Sequence, residues 1–493
     1  MKKWIAVCCA ALLCMQAPFA LALELTGLET ETVTRDWETS AFFTRMQELT
    51  GIETHARAIT DEEEYQKALE AMAGGEIGAD ALFKAGLTRE QEISLLDSGA
   101  IVDLAPLIEE NMPNLSALLE AHPEWRQIIS LEDGRIASLP LINEGERQVL
   151  VWINSAWLSQ LGLDMPETTD ELTDALRTMT ESDPNGNLKR DEIGADLTGV
   201  FEMRWLLPYF GIVADDYNLA RGEDGQIVFA PELPGYRDFI ELLIRWYAEG
   251  ILPREAFTAV HSASSLTQQD DDPPVVSALL VSVAPYTHVQ IDAATQYEPL
   301  LMPGPDGVTR WRDFLGEIWT GCFAVTSACE DPGEALRWAD ALYTEEGAIL
   351  AYAGKEGEDY AYDENGKWSF ITDTLRDVTD IRSQSLMYTG GTMPGIAPTA
   401  FLEKVDSEID VHVLGAAAKA RAVGERVTDA YCLGAEDQRR ADALAAAIGN
   451  LVDRGIARFA TGEIELTDES YSAWLAELKA AGSDELVALF QGK

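Results

Sequence analysis

Short apolar runs and longer stretches with helical periodicity alternate along the chain. Val149–Ile153, Val275–Val283 and Cys322–Val325 are apolar runs of strand length, which predicts strands buried on both faces. Apolar residues recur at helical spacing in the predicted helices, which are Ser40–Leu49, Glu334–Ala353, Arg439–Phe459 and Ser470–Phe490. This alternation of strands and helices predicts an α/β architecture.

Two further predicted helices begin with a capping-box signature. Thr60 is followed three residues later by Glu63, ahead of a helix expected to run through Met72. Thr168 and Glu171 repeat the same spacing further along the chain. In this motif the hydroxyl and the carboxylate satisfy backbone N–H groups that a helix start leaves unpaired.

Composition changes the picture mainly through charge. The 493 residues include 85 Asp and Glu against 36 Lys and Arg, a formal net charge of −49. Such a chain repels nucleic-acid phosphates and anionic lipid, so we expect no nucleic-acid partner and no binding to a membrane surface. At 47% hydrophobic residues the composition is that of an ordinary folded protein.

The first 22 residues have the organisation of a secretory signal peptide. Lys2 and Lys3 precede an apolar stretch, and Ala20-Leu21-Ala22 is an A-x-A cleavage site. We therefore expect an exported protein, extracellular or periplasmic. A lipid anchor is not expected, because Cys14 follows Leu13 rather than a small residue. Three cysteines lie beyond this segment, Cys322, Cys329 and Cys432, and their disulfide state is left open.

Catalytic motifs are missing from the sequence. No H-E-x-x-H metal pair, G-x-S-x-G elbow, P-loop or dinucleotide fingerprint is present. A glycosidase carboxylate pair could still lie among the 85 acidic residues. We expect a protein that is not an enzyme, with a secreted carbohydrate-active hydrolase kept as an alternative.

The loop from Asp183 to Glu192, counted with Asp183 as position 1, has the oxygen-rich spacing of a calcium site. Hard cations such as Ca²⁺ prefer six or more oxygen ligands, and alternate side chains of such a loop turn inward. Leu188 stands at position 6, where an EF-hand has glycine, and Gly194 stands at position 12, where it has a bidentate Glu. Lys189 would contribute its backbone carbonyl. The candidate ligands are Asp183, Asn185, Asn187, Lys189, Asp191 and Glu192.

Several stretches, in order and spacing, resemble one family over most of the chain. They resemble the extracellular solute-binding proteins of ABC importers, family 1, the carbohydrate-type group that includes maltodextrin- and alginate-oligosaccharide-binding proteins. The residues that carry the resemblance are Phe42–Glu53, Gly99–Leu104, Asp133–Ile136 with Leu139-Pro140, Trp152–Asn154 with Leu161–Leu163, Trp338–Asp340, Glu346-Gly347, Gly354–Gly357 and Phe459–Gly462.

The resemblance implies a two-domain periplasmic-binding-protein-like fold of type II, with crossover segments joining the domains and a ligand cleft between them. We expect an N-terminal domain of residues 23–140 plus about 312–355, and a C-terminal domain of 141–311 plus about 356–493. The implied function is to capture a carbohydrate and deliver it to the permease subunits of an ABC transporter. We expect a monomer, and the calcium loop lies where the alginate-binding branch carries one.

Aromatic side chains at the family's cleft positions are the candidate sugar contacts, because sugars stack their apolar faces on aromatic rings. The candidates are Asp36, Trp37, Trp205, Tyr286, Trp311, Trp319, Tyr388 and Phe401. A neutral oligosaccharide is favoured over a polyanionic one by the acidic composition. The same fold binding peptides or cationic solutes stays open, as does a role in sensing.

Overall fold

The computed structural model describes most of the chain, in ten segments. Residues 1–21, which hold nearly all of the expected signal peptide, and Cys432 lie outside them. The segments are 22–29, 35–143, 147–197, 199–222, 224–258, 277–289, 291–313, 318–388, 392–427 and 433–491. Within them, no helix combines the length and the apolar character needed to cross a membrane.

Helices make up much of both domains. In the first half of the chain they are α1 (Ala41–Thr50), α2 (Glu62–Ala73), α3 (Arg89–Asp97), α4 (Ala105–Asn111), α5 (Pro113–Ala121), α6 (Pro123–Ile129), α7 (Ser155–Leu161), α8 (Thr169–Glu181), α9 (Gly199–Met203) and α10 (Pro234–Glu249). In the second half they are α11 (Ile291–Ala294), α12 (Pro332–Asp340), α13 (Glu345–Tyr352), α14 (Val378–Ser385), α15 (Thr399–Leu402), α16 (Glu408–Arg421), α17 (Ala435–Ala460), α18 (Asp468–Ala480) and α19 (Ser483–Phe490).

A six-stranded sheet forms the centre of the first domain. Its strands are β1 (Leu23–Leu28), β2 (Thr54–Ile59), β3 (Ala81–Phe83), β4 (Leu139–Ile142), β12 (Ile318–Val325) and β15 (Gly395–Ile396), in the order β15-β4-β12-β3-β1-β2. β12 runs antiparallel to both of its neighbours, while the other pairs are parallel. The carboxyl ends of five strands therefore meet at one edge, where β12 begins.

A four-stranded sheet forms the centre of the second domain. Its strands are β5 (Leu150–Asn154), β6 (Ile193–Asp196), β9 (Ser277–Ser282) and β10 (Tyr297–Pro299), in the order β10-β5-β9-β6. β5 and β9 are buried along their whole length, which explains their uninterrupted apolar sequence. Two-stranded pairs complete the fold: β7 (Leu219–Arg221) with β8 (Ile227–Phe229), β11 (Trp311–Arg312) with β16 (Gly424–Glu425), and β13 (Tyr360–Tyr362) with β14 (Trp368–Phe370).

Each sheet has its own hydrophobic core. Trp338, Phe83 and Phe42 lie at the centre of the first, where Trp338 packs edge-on against Phe83 at a ring distance of 5.5 Å. Trp152 and Trp246 are fully buried in the second. Two separate cores agree with a chain of this length, because single cores stop growing at about 250–300 residues.

The domain boundary differs from the expected one. We expected residues from about 356 onward in the second domain, but β15 adds to the sheet of the first domain. Met387 and Met393 also pack in the first core. Parts of the chain beyond residue 356 therefore belong to the first sheet and its core, because β15 finds its strand partner in β4.

Of the two predicted capping residues, Thr168 is confirmed and Thr60 is wrong by one position. Thr168 caps α8 and accepts a hydrogen bond from the N–H of Glu171 at 3.2 Å. At α2 the cap is Asp61, one residue after the predicted Thr60, and its carboxylate accepts from Glu64. The predicted single helix over 334–353 is instead α12 and α13, separated by a short 3₁₀ turn.

Candidate functional site

Three connecting segments leave the first sheet at the edge where its five parallel strands end. Residues 143–149 join β4 to β5, residues 313–317 join β11 to β12, and residues 397–407 join β15 to α16. Leu150, the first residue of β5, pairs with Ser282, the last residue of β9. The first connector thus runs from the carboxyl edge of one sheet to the carboxyl edge of β9, which is where open α/β sheets bind ligands.

A polar and aromatic cluster forms around Arg147 of the first connector. Arg147 donates one hydrogen bond to the hydroxyl of Tyr286 and another to Oδ1 of Asp410 at 2.7 Å. The Tyr286 hydroxyl also donates to Asp410 at 3.4 Å, and the guanidinium lies 5.7 Å from the Tyr286 ring centroid. Tyr286 follows β9, and Asp410 is in the first turn of α16. All three side chains are half-buried.

The electrostatics of this cluster hold the tyrosine neutral. Burial raises the pKa of Tyr286 above its ordinary value, Arg147 lowers it, and Asp410 raises it again. The cluster therefore presents a neutral phenol ring beside a cation and a carboxylate. That combination of one apolar face with donors and acceptors suits a polyhydroxylated ligand.

A second pair of hydrogen bonds ties the first two connectors together. Gln148, buried on the first connector, donates to Oδ1 of Asp313 at 3.3 Å. Asp313 begins the second connector and also accepts from Nε of Arg426 at 2.7 Å. These hydrogen bonds thus join the segment just before β5, at Gln148, to the residue after β11, Asp313.

Trp319 stands at the start of β12, on the same edge of the first sheet. It pairs with Leu141, is half-buried, and its indole N–H has no hydrogen-bond partner among the described residues. A register shift follows it, at Gly321 with φ +76°. Such bulges re-aim side chains at sheet edges. The indole N–H is buried, and its capacity to donate a hydrogen bond is unused in this structure.

The other predicted contacts are placed differently. Trp37, Trp205, Trp311 and Phe401 are each at most 3% exposed and pack in hydrophobic clusters. Their indole and ring contacts are those of core side chains. The N–H of Trp37 donates to Glu29 and that of Trp311 to the carbonyl of Val149.

The last two predicted contacts are also engaged within the protein. Asp36 is exposed and accepts from the N–H of Glu38 and the hydroxyl of Thr39, which closes a turn ahead of α1. Tyr388 is half-buried and stacks on Tyr352 at a ring distance of 3.7 Å. Of the eight predicted contacts, the structure brings Tyr286 and Trp319 to the connector edges.

Sequence reasoning missed Arg147 and Asp410. They are 263 positions apart, and each is one charged residue among many. The only local signal is position, because Arg147 stands two residues before the apolar run of β5 and Asp410 stands in the first turn of a helix. Neither position singles out a binding residue until the fold brings the two together.

The calcium-like loop connects α8 to β6. Asp183 accepts backbone hydrogen bonds from Asn187 at 3.0 Å and Leu188 at 2.9 Å, and Asn187 accepts from the N–H of Lys189 at 2.8 Å. The Asn187 amide donates to both oxygens of Asp191. Side-chain oxygens therefore turn toward the inside of the loop.

One of the two departures from the EF-hand pattern, Leu188, has a structural counterpart, and the candidate ligand Glu192 is buried. Leu188 adopts φ +60°, the left-handed conformation for which glycine is usual, and its side chain is 93% exposed. Glu192 is 9% exposed, and neither of its carboxylate oxygens has a hydrogen-bond partner among the described residues. Burial raises the pKa of Glu192, and the negative charges of Asp191 and Asp183 raise it further.

A buried carboxylate with no partner beside two other carboxylates is what a bound cation would satisfy. In the described part of the chain, no three His, Cys, Asp or Glu side chains are grouped closely enough to hold a metal by themselves. Asparagine and backbone oxygens would complete such a site, and the loop supplies both. The donor set is therefore compatible with calcium.

No family model matches the chain. In sequence it is 32% identical over 189 residues to the fructooligosaccharide ABC transporter substrate-binding protein FusA of Streptococcus pneumoniae, over 36% of this chain and 35% of FusA. It is 24% identical over 340 residues to the lipoprotein LipO of Bacillus subtilis, over 64% of this chain and 63% of LipO. The matched region thus spans about a third of the length of FusA and less than two thirds of the length of LipO.

Solved structures match nearly the whole chain. FusA in complex with kestose has a TM-score of 0.75 at 20% identity, covering 95% of this chain and 98% of that one. A solute-binding protein of Bifidobacterium longum infantis, associated with an HMO-binding ABC transporter, has 0.81 at 20% identity, covering 95% and 97%. An EF-hand mutant of FusA in complex with fructo-nystose has 0.74 at 20% identity, covering 95% and 98%.

The fold is that of the two-domain solute-binding proteins. The resemblance stated from the sequence is confirmed, because FusA and the solute-binding protein of Bifidobacterium longum infantis are both ABC-transporter binding proteins.

Proposed function

We propose that this protein is the extracellular solute-binding component of an ABC transporter, which captures an oligosaccharide and delivers it to membrane permease subunits. The observation that carries the proposal is the cluster of Arg147, Tyr286 and Asp410 where the connectors reach the carboxyl edge of β9. The fold supports it, as do the names of the relatives, which include a fructooligosaccharide-binding protein.

In this proposal the ligand lies between the two sheet edges. A sugar ring stacks on Tyr286, while Arg147 and Asp410 hydrogen-bond its hydroxyl groups. The half-buried ring of Trp319 is a second aromatic surface, at the edge of the first sheet. Because the connectors join the domains, closure of one domain on the other encloses the ligand.

A thermal-shift panel tests this role. The mature protein is melted with neutral oligosaccharides, and a ligand at 100 times its Kd adds about 2.7 kcal/mol of stability. We expect a shift of several degrees with one of them and no product on chromatography. Tyr286→Ala should abolish that shift, while Tyr362→Ala, at an exposed tyrosine of β13, should leave it intact.

The remaining outcomes point to the alternatives. Product formation would refute a pure binder and favour the secreted hydrolase. A shift with basic peptides alone would favour a peptide or cationic solute in the same fold. If both variants, Tyr286→Ala and Tyr362→Ala, kept the full ligand-induced rise in melting temperature, the ligand would bind elsewhere.

We also propose that the loop from Asp183 to Glu192 holds a structural calcium ion. The support is the buried, unpaired carboxylate of Glu192 and the existence of a FusA variant described as an EF-hand mutant. Calcium should raise the melting temperature of the protein, and Glu192→Gln should weaken that effect. Glu181→Gln, at an exposed carboxylate of the preceding helix, is the matched control. Equal responses of both variants would contradict the site.

Export to the cell exterior and a monomeric state remain part of the proposal. The signal-like first 22 residues support export. One relative is named a lipoprotein, so mass spectrometry of the mature N-terminus decides whether a lipid is attached.

A further inference from the structure

A groove with an apolar floor and an acidic rim lies on the first domain. A cavity of about 610 Å³ opens between α1, α13 and the segment that leads into β13. Leu49, Ile349, Leu350 and Tyr360 supply its apolar floor. None of these residues belongs to the ligand site proposed above.

The groove continues around the end of α1. A neighbouring cavity of about 450 Å³ shares Leu49 and Glu346 with the first, and Ile52 extends the apolar surface. Together the two cavities form one groove along the C-terminal half of α1. A groove of this length suits an extended chain better than a compact small molecule.

The charges of the groove are unbalanced. Its cations are already engaged, since Arg45 pairs with Glu358 at 2.9 Å and Lys355 pairs with the same carboxylate at 2.7 Å. Arg337 pairs with Asp331 at 3.4 Å. The rim carboxylates that form no ion pair among the described residues are Glu48, Glu345, Glu346 and Glu356.

The wall of the groove is held in place by a buried ion network. The carboxylate of Asp359 is fully buried and accepts from Arg45 of α1, from the N–H of Lys355 at 2.9 Å and from Arg376 at 2.5 Å. Gly354 lies against this carboxylate, and a Cβ there would sit 2.2 Å from Oδ2. Because the network ties the wall to α1, the groove exists before anything binds.

We propose that this groove docks a basic polypeptide segment of a partner protein, one that carries lysine or arginine together with an apolar side chain. Positive side chains would reach the four unpaired carboxylates, and the apolar side chain would cover Leu49 and Leu350. A nucleic acid or an anionic lipid is repelled by the same carboxylates. A small inorganic cation leaves the apolar floor unused. This inference does not depend on the proposed sugar binding.

Peptide binding tests the groove. The probe is a fluorescein-labelled peptide of alternating lysine and leucine, measured by polarisation at physiological ionic strength. Glu345→Lys with Glu346→Lys reverses two adjacent charges in the first turn of α13 and should weaken binding about tenfold. The matched control reverses Glu436 and Asp437, an exposed pair in the first turn of α17, so the cost to the helix dipole is the same.

The outcomes separate docking from general attraction to an acidic surface. Selective loss in the α13 variant supports the groove, whereas equal loss in both variants overturns it. A lysine–serine peptide should bind at least tenfold more weakly, and equal binding would show that the apolar floor is not used, which also overturns the proposal. If the α13 variant fails to fold, Glu356→Lys tests the same rim outside any helix.

Discussion

Asp196 is a buried carboxyl group whose ionisation opposes folding. It ends β6, is 0% exposed, and neither oxygen has a hydrogen-bond partner among the described residues. Burial raises the pKa of Asp196 to about 7, and the negative charge of Glu202 contributes to the rise. The difference from the ordinary 3.8 corresponds to about 4 kcal/mol.

The direction in which pH changes the stability follows from proton binding in the folded and unfolded states. Between pH 4 and 7 the folded protein keeps the Asp196 proton while the unfolded chain has lost it, so stability falls as pH rises through this window. Above pH about 7 both states are ionised and the cost is constant. Asp196→Asn keeps the shape without the charge, and therefore removes the whole pH-dependent contribution.

Urea unfolding followed by circular dichroism measures this effect. We expect the difference between Asp196→Asn and the wild type to grow in favour of the variant by about 4 kcal/mol from pH 4 to pH 8. Asp238→Asn, at an exposed position on α10, is the control and should track the wild type at every pH. A difference between Asp196→Asn and the wild type that is independent of pH would refute the reasoning.

Three further substitutions test the fold. Gly27→Ala would place a Cβ 1.7 Å from the carbonyl oxygen of Phe83 and should destabilise the first domain by about 3 kcal/mol or more, as a lower urea midpoint. Asp359→Ala leaves two arginines without their buried partner and should cost about 3 kcal/mol by the same assay, and no loss would mean that the network adds no stability. Thr168→Ala removes the α8 cap at about 1 kcal/mol, and Thr168→Ser should restore it.

The proposed ligand site shows why a candidate binding residue is harder to predict than a helix. Trp37 and Trp205 were candidates because of where they stand along the chain, yet both pack in a core. Tyr286 was a candidate on the same grounds, and it lies after the carboxyl end of β9, in contact with Arg147 of the first connector. Aromatic residues favour core and site alike, so only three-dimensional placement distinguishes the two.

Local elements were determined by the sequence itself, because caps, breakers and apolar periodicity act between residues a few positions apart. The α8 cap at Thr168, the buried strands β5 and β9, and the loop from Asp183 to Glu192 were all recognisable in this way. The class of protein was recognisable too, since short motifs occurred in a family's order and spacing.

Long-range pairing was decided only by the tertiary structure. The addition of β15 to the first sheet and the meeting of Arg147 with Asp410 depend on segments hundreds of residues apart. The acidic composition hides such pairs, because any carboxylate could in principle serve. Which charges meet is determined by how two sheets and three connectors pack, and that packing minimises exposed apolar surface over the whole chain rather than within any one segment.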